Sequence, residues 1–271
     1  MRLLTLVENS RGDERCAAEH GLSIYIETEK HRLLLDTGQT DALIKNAAAL
    51  GVDLSAVDTV ILSHGHYDHS GGILPFCKIN AHADIYMQRA ATEAHFNGER
   101  YIGIDPAIPA LPRVHLLNGD AKLDDELFLF TGITGRRCFP PGNGMLTRFK
   151  DGVRVPDDFA HEQCLVLTQG GRRILLSGCA HNGILNILER YRALFGSDPD
   201  AVITGFHMMK RNAPHTDAEL DVIRQTAHSL TETDIRFFSG HCTGEAAFGV
   251  MREILGDRLQ ALHTGCEIHI E

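Results

Sequence analysis

The stretch His64-Gly65-His66-Tyr67-Asp68-His69 places three imidazoles and a carboxylate within six consecutive residues. His64 and His66 are two apart, so in an extended segment their side chains point the same way and can grip one cation. Asp68 and His69 follow as the chain turns, into a helix after Ser70-Gly71-Gly72, and can face a second cation close by. Neutral imidazole and carboxylate suit Zn²⁺, and also Mn or Fe.

Three further apolar runs lead into small residues and, at once or one residue later, a histidine. RRILLSGCAH ends at Cys179 and His181, AVITGFH at His207, and IRFFSGH at His241. TVILSHGHYDH, which carries His64, makes the fourth. In α/β folds the side chains just past the carboxyl ends of strands converge on one crevice. Four such ends predict one shared site. The small residues let the backbone approach a ligand closely. The chain has 16 histidines, and position separates them. His31, His82, His95, His115, His215, His228, His263 and His269 fall outside this pattern and read as surface or packing residues. His161, before Glu162-Gln163 at the start of a strand, is a rival third histidine ligand.

The elements that must carry these residues are short apolar runs alternating with helix-like segments. Strands are expected over Ser23–Thr28, Arg32–Asp36, Thr59–Ser63, Asp84–Met87, Leu127–Ile133, Cys164–Gln169, Arg172–Ser177, Ala201–Gly205, Ile235–Ser239 and Glu267–Glu271. Helices are expected over Asp41–Leu50, ending at Gly51, and over Gly183–Phe195, with Ile184, Leu188, Tyr191 and Phe195 on one face. A third opens at Thr216-Asp-Ala-Glu219, a capping-box pattern, and runs to about Leu230. A fourth covers Glu245–Leu255. The alternation reads as α/β, with strands inside and helices outside. No linker divides residues 1–271, which read as one domain. Six of the nine prolines lie between Pro106 and Pro156. The segment at about 95–160 therefore reads as an irregular excursion, a lid or substrate wall.

The formal net charge of −10 disfavours nucleic acid as a partner, since that binding leans on clustered Lys and Arg. A nuclease is disfavoured on the same ground. No apolar run reaches the length of a membrane helix, and the N-terminus lacks the pattern of a signal peptide. The expectation is a cytoplasmic protein with a small-molecule substrate and no membrane partner. A homodimer is the default oligomer. Seven scattered cysteines with no Cys-x-x-Cys describe neither a disulfide framework nor a zinc ribbon.

His-x-His-x-Asp-His after a strand resembles the signature of the metallo-β-lactamase superfamily. Leu34-Leu35-Asp36-Thr37-Gly38 resembles its early Asp motif, and Gly240-His241 its last His motif. More narrowly, the sequence resembles the 7,8-dihydropterin-6-methyl-4-(β-D-ribofuranosyl)aminobenzene-5′-phosphate synthase-like group of metal-dependent hydrolases. The matching stretches include Glu19-His20-Gly21-Leu22-Ser23, Glu162-Gln163, Gly178-Cys179-Ala180-His181, Gly205-Phe206-His207 and Gly240-His241-Cys242-Thr243-Gly244. The resemblance implies an αββα sandwich of two mixed sheets, with metals at one edge.

It also implies roles. His64, His66 and His181 would hold one divalent ion, and Asp68, His69 and His241 a second, with Zn ahead of Mn and Fe. The superfamily places a bridging Asp where this chain has Cys179, so Cys179 becomes the candidate bridging ligand. Asp36 would orient a ligand histidine from behind. His207 and Asp68 would manage protons, and His20 and His207 would contact substrate. The implied reaction is attack by a hydroxide at a dinuclear centre on a phosphoester or carbonyl-type bond, in a small molecule related to a pterin or a ribosyl phosphate. Two rivals are a non-catalytic metal-dependent binder of nucleotides or pterins, and a di-iron redox protein of the same fold. Relatives of the second kind carry Glu where this chain has His66.

Overall fold

In the Arg32–Leu35 strand Leu33 and Leu35 face one way and Leu34 the other, and all three are buried. The same alternation recurs in Cys164–Gln169, with Leu165 and Leu167 opposed to Val166, and in Arg172–Leu176, with Ile174 and Leu176 opposed to Leu175. Side chains along a strand alternate faces, so strands apolar at every position must be covered on both sides.

The computed structural model, which describes residues 1–210 and 213–270, meets that demand with two sheets face to face. The first sheet orders Arg2–Val7, Ser23–Glu27, Arg32–Leu35, Thr59–Ile61, Asp84–Gln88 and Val114–Leu117. The second orders Leu259–Ala261, Arg236–Ser239, Ala201–Ile203, Arg172–Leu176, Cys164–Gln169, Leu127–Phe130 and Ala121–Lys122. Both are mixed, antiparallel at one side and parallel at the other. Leu33, Leu35 and Ile61 meet Leu165, Leu167, Ile174 and Leu176 between the sheets. On the outer face of the first sheet, Leu34 and Val60 pack under the Ala42–Ala49 and Ile73–Cys77 helices through Leu43, Ala47, Ile73 and Phe76. On the outer face of the second, Val166, Leu175 and Val202 pack under Ile184–Phe195, Asp217–Thr231 and Glu245–Leu255. The result is the αββα sandwich.

The capping box forms: the Thr216 side chain accepts from the Glu219 N–H, and the Glu219 carboxylate accepts from the Thr216 N–H. Two expectations need correcting. The 95–160 segment is not irregular throughout. It builds a four-stranded antiparallel sheet from Val153–Pro156, Leu146–Lys150, His95–Asn97 and Arg100–Tyr101, and adds strands to both main sheets. Nor is Glu267–Glu271 a strand. It makes one bridge, Glu267 to Leu4, with the Ile268 N–H donating to the Leu3 carbonyl at 2.9 Å. Past that bond no further backbone pairing to Arg2–Val7 is made among the described residues. Glu271 lies outside the described residues. Strands at Arg2–Val7, Val114–Leu117 and Leu259–Ala261 were not expected from the sequence. Among the described residues, no helix is long and apolar enough to cross a membrane.

Leu165→Ala, between the sheets, should lower unfolding free energy by about 2–5 kcal/mol. Ile79→Ala, at a position 44% exposed, should stay within about 0.5 kcal/mol. Urea denaturation followed by circular dichroism compares them, and equal losses would contradict this core.

Candidate metal centre

The strands before Cys179, His207 and His241 are parallel neighbours, so they deliver these residues to the same edge of the second sheet. The parallel pair Arg32–Leu35 and Thr59–Ile61 delivers Asp36 and His64 from the facing sheet. The chain must leave each strand sharply to aim a side chain inward. Asp36, Ala180, His207 and His241 all take left-handed backbone, with φ of 58°, 52°, 51° and 48°. Such non-glycine positions cost on the order of 1–3 kcal/mol and cluster where function requires them.

The hydrogen bonds fix which nitrogen of each ring faces the site. The buried Asp36 carboxylate accepts from the Ser63 N–H, the Ser63 hydroxyl and His69 Nδ1, each at 2.7 Å. With its proton given to Asp36, the Ser63 oxygen can only accept from His64 Nδ1, 2.8 Å away. Asn143 donates to the His181 carbonyl and turns its Oδ1 to His181 Nδ1 at 3.0 Å. Asn9 does the same for His241, with its Oδ1 2.9 Å from Nδ1. In all four rings Nδ1 is committed as donor and Nε2 is left facing the site.

His64, His66 and His181 converge, with ring centroids 4.6 to 4.8 Å apart. The Nε2 atom of each is buried and has no hydrogen-bond partner. Burial, reinforced by the neighbouring rings, holds all three well below the usual histidine pKa, so they are neutral at pH 7. Three buried acceptors left without partners in adjacent rings are costly unless a cation satisfies them. The donor set fits a divalent metal.

A second group lies beside it. His69 Nε2 is 3.1 Å from His241 Nε2, and Asp68 Oδ2 is 3.5 Å from His241 Nε2 and 4.0 Å from His69 Nε2. Burial opposes charge on both Asp68 and His69. His20 and His241 nevertheless hold the Asp68 carboxyl well below its usual range, and Asp36 and then Asp68 lift the His69 pKa to about 9. A cation at His69 Nε2 would therefore displace a proton at neutral pH. Cys179 stands between the groups. Its Sγ is 3.2 Å from His69 Nε2, and its sulfur joins compact clusters with His64 and His181 and with His69 and His241. Burial pushes this thiol up, and a bound cation would lower it again.

Of the remaining candidates, His207 packs its ring 4.0 Å from that of His181, with a buried Nδ1 lacking a partner. His20 stacks on His241 at 4.8 Å and sets its Nε2 3.1 Å from Asp68 Oδ2. Both line a cavity together with His66, Asp68, Cys179, His181 and His241. His161, the rival ligand, sits in a buried cluster with His66, His95 and Asp157. Its Nδ1 accepts from the Gly65 N–H at 2.9 Å, so Nε2 carries the proton and donates to Asp157 Oδ2 at 3.2 Å. No lone pair remains for a cation, and the ring instead holds the peptide between His64 and His66. His95 is buried as a packing residue and also binds Asp157, at 2.9 Å.

Several supporting residues escaped the sequence reading. Glu162 accepts from the N–H groups of His181 and Asn182, at 2.6 and 2.9 Å. Glu8 accepts from the His241 N–H, and Asn9 orients its ring. Glu8 and Asn9 follow the unrecognised Arg2–Val7 strand, so finding that strand would have exposed them as a fifth polar strand end. Asn143 carried no signal of its own, while Ser63 and Glu162 stood in matching stretches without an assigned role.

The Metallo-beta-lactamase superfamily model matches residues 17–211, and the chain belongs to that superfamily. It is similar to 7,8-dihydropterin-6-methyl-4-(beta-D-ribofuranosyl)-aminobenzene-5′-phosphate synthase of Methanocaldococcus jannaschii, at 28% identity over 98% of this chain and 95% of that protein. Uncharacterized protein MJ0448 of the same organism is 28% identical over 92% of this chain and 93% of its own. The crystal structure of Tm1679, a metal-dependent hydrolase of the beta-lactamase superfamily, matches with a TM-score of 0.85 and 27% identity, over 100% of this chain and 99% of that one.

Asp36→Asn keeps the shape but cannot accept all three hydrogen bonds. Its zinc affinity, by competition with a chromophoric chelator, should fall about 10- to 100-fold. His161→Ala should destabilise the fold by about 1–3 kcal/mol, because the buried Gly65 N–H loses its acceptor. Chelator competition on His161→Ala should still detect both cations, and loss of one would make His161 a ligand after all.

Proposed function

We propose that this protein is a metal-dependent hydrolase with a two-cation centre. His64, His66 and His181 would hold one ion and Asp68, His69 and His241 the other, with Cys179 as the candidate ligand between them. The observation that carries this reading is the set of three buried, unpartnered Nε2 atoms of His64, His66 and His181. When bound, a pair of divalent ions, zinc by this donor set, acidifies water for attack and neutralises charge on the reacting oxygens.

The protein's own residues do the rest. Asp36, Ser63, Asn143 and Asn9 fix the ring tautomers, so no reorganisation is needed during reaction. His207, half-buried in the cavity wall beside His181, has an unpartnered Nδ1 and donates a proton to the leaving oxygen. Asp68 accepts the proton released by the attacking water, and His20 holds that carboxylate in place.

The cavity of about 460 Å³ suits a small molecule. The relative matched over 98% of this chain is named for a product with a pterin and a ribofuranosyl 5′-phosphate. Phosphorylated ribosyl compounds are therefore the substrate class we assign, with a phosphodiester of such a compound as the bond attacked and its phosphate monoester left intact. The same name favours a second reading, in which this centre promotes a bond-forming step on such a compound.

His207→Ala should lower kcat for a chromogenic phosphodiester such as bis(p-nitrophenyl) phosphate by about 10²- to 10⁴-fold with metal content unchanged. Turnover should vanish on chelation and return with zinc. A metal-loaded protein that hydrolyses neither phosphoesters nor lactones would refute the hydrolase reading.

A further inference from the structure

The cavity over the metal ligands has two cationic side chains among its lining residues, Arg100 and Lys210, and Asp68 is its one carboxylate among the described residues. The two cations differ in state. Lys210 Nζ is gripped by the Glu219 carboxylate at 2.6 and 2.9 Å. Arg100 stands on the exposed Arg100–Tyr101 strand at the edge of the small sheet. Its guanidinium carbon lies 4.9 Å over the Tyr67 ring, and it meets no hydrogen-bond acceptor or carboxylate among the described residues.

That is unusual within its own segment. Arg113 reaches Asn80, Arg136 the Gly135 carbonyl, Arg137 the Ser229 hydroxyl, Arg148 Glu93 and Asp158, and Arg154 Thr147. Arg100 alone of the six keeps its donors unspent. It is also held in place. Tyr67 sits between His66 and Asp68 in sequence, and its N–H donates to the Ile102 carbonyl at 2.9 Å, tying the Arg100 hairpin to the metal-binding loop. The guanidinium is thus poised at a set offset from the reacting centre.

An aromatic face supports a guanidinium through its plane and leaves the N–H edge free for a planar or tetrahedral anion. In a chain of net charge −10, an unneutralised cation at the cavity mouth also locally reverses the field that an anionic ligand meets. We propose that Arg100, propped on Tyr67, forms an anion subsite that takes the phosphate monoester of the substrate while the scissile bond lies at the metals. This rests on the hydrolase reading, which places the reacting bond beside His66, His181 and His241 in the same cavity.

Calorimetric titration of ribose 5-phosphate and of ribose into metal-loaded protein tests it, using wild type, Arg100→Ala and Arg100→Lys. The affinity for ribose 5-phosphate should fall about 10- to 100-fold in Arg100→Ala and recover in part in Arg100→Lys, with metal content equal throughout. Ribose should show no dependence on Arg100. Equal affinity in wild type and Arg100→Ala, or binding in neither, would overturn the proposal. Repeating the titration on chelator-stripped wild type separates the two readings. Binding that vanishes on stripping and ignores Arg100 belongs to the cations, which refutes the subsite and leaves the hydrolase intact. Arg100-dependent binding in a protein that hydrolyses nothing would support the subsite and remove the hydrolase.

Discussion

The buried carboxylate of Asp36 is the constraint on which the rest of the site depends. It is fully buried and accepts three hydrogen bonds, two from Ser63 and one from His69. An unpaired charge at such a position costs several kcal/mol, so the fold is committed to supplying these donors. The cost also falls on Asp36 itself, whose backbone is left-handed. Through Ser63 the carboxylate sets the tautomer of His64, and directly it sets that of His69. One acid on one sheet thereby aims a nitrogen at each of the two proposed cation positions.

The rest of the architecture repeats the device. Asn143 orients His181 and Asn9 orients His241, each by gripping the backbone carbonyl and ring nitrogen of the same residue. Glu162 and Glu8 hold the backbone N–H groups of these two histidines. The rings of His64, His69, His181 and His241 are therefore anchored from behind, by atoms from both sheets and from the 95–160 segment. The double-sheet core makes this possible, because it fixes the strand ends from which the site is built. In this chain a sulfur, that of Cys179, stands between the two groups of histidines.

The strand ends and their histidines were legible in the sequence because three of the four carry a long apolar run, small residues and then His. The helix starting at Thr216 was legible because a capping box is a local signal. The Arg2–Val7 strand was missed, and Glu8 and Asn9 with it, because Arg2–Val7 has no turn residues close before it and was read as an N-terminus. The small sheet was missed because prolines and short strands mask its alternation. His161 stayed undecided because a ligand and a backbone-holding histidine look alike in sequence. Only the position of the Gly65 N–H separates them. Asn143 and Arg100 act through contacts made in three dimensions, and neither stands in a motif.

The central claim is that two cations bind at these residues. Elemental analysis by plasma mass spectrometry, on protein purified without added metal and again after zinc loading and desalting, tests it most directly when wild type is compared with His64→Ala. The account predicts close to two equivalents of metal per loaded wild-type chain and a sharp fall in the variant. No metal in either preparation of the wild type, or equal content in the variant, would contradict it.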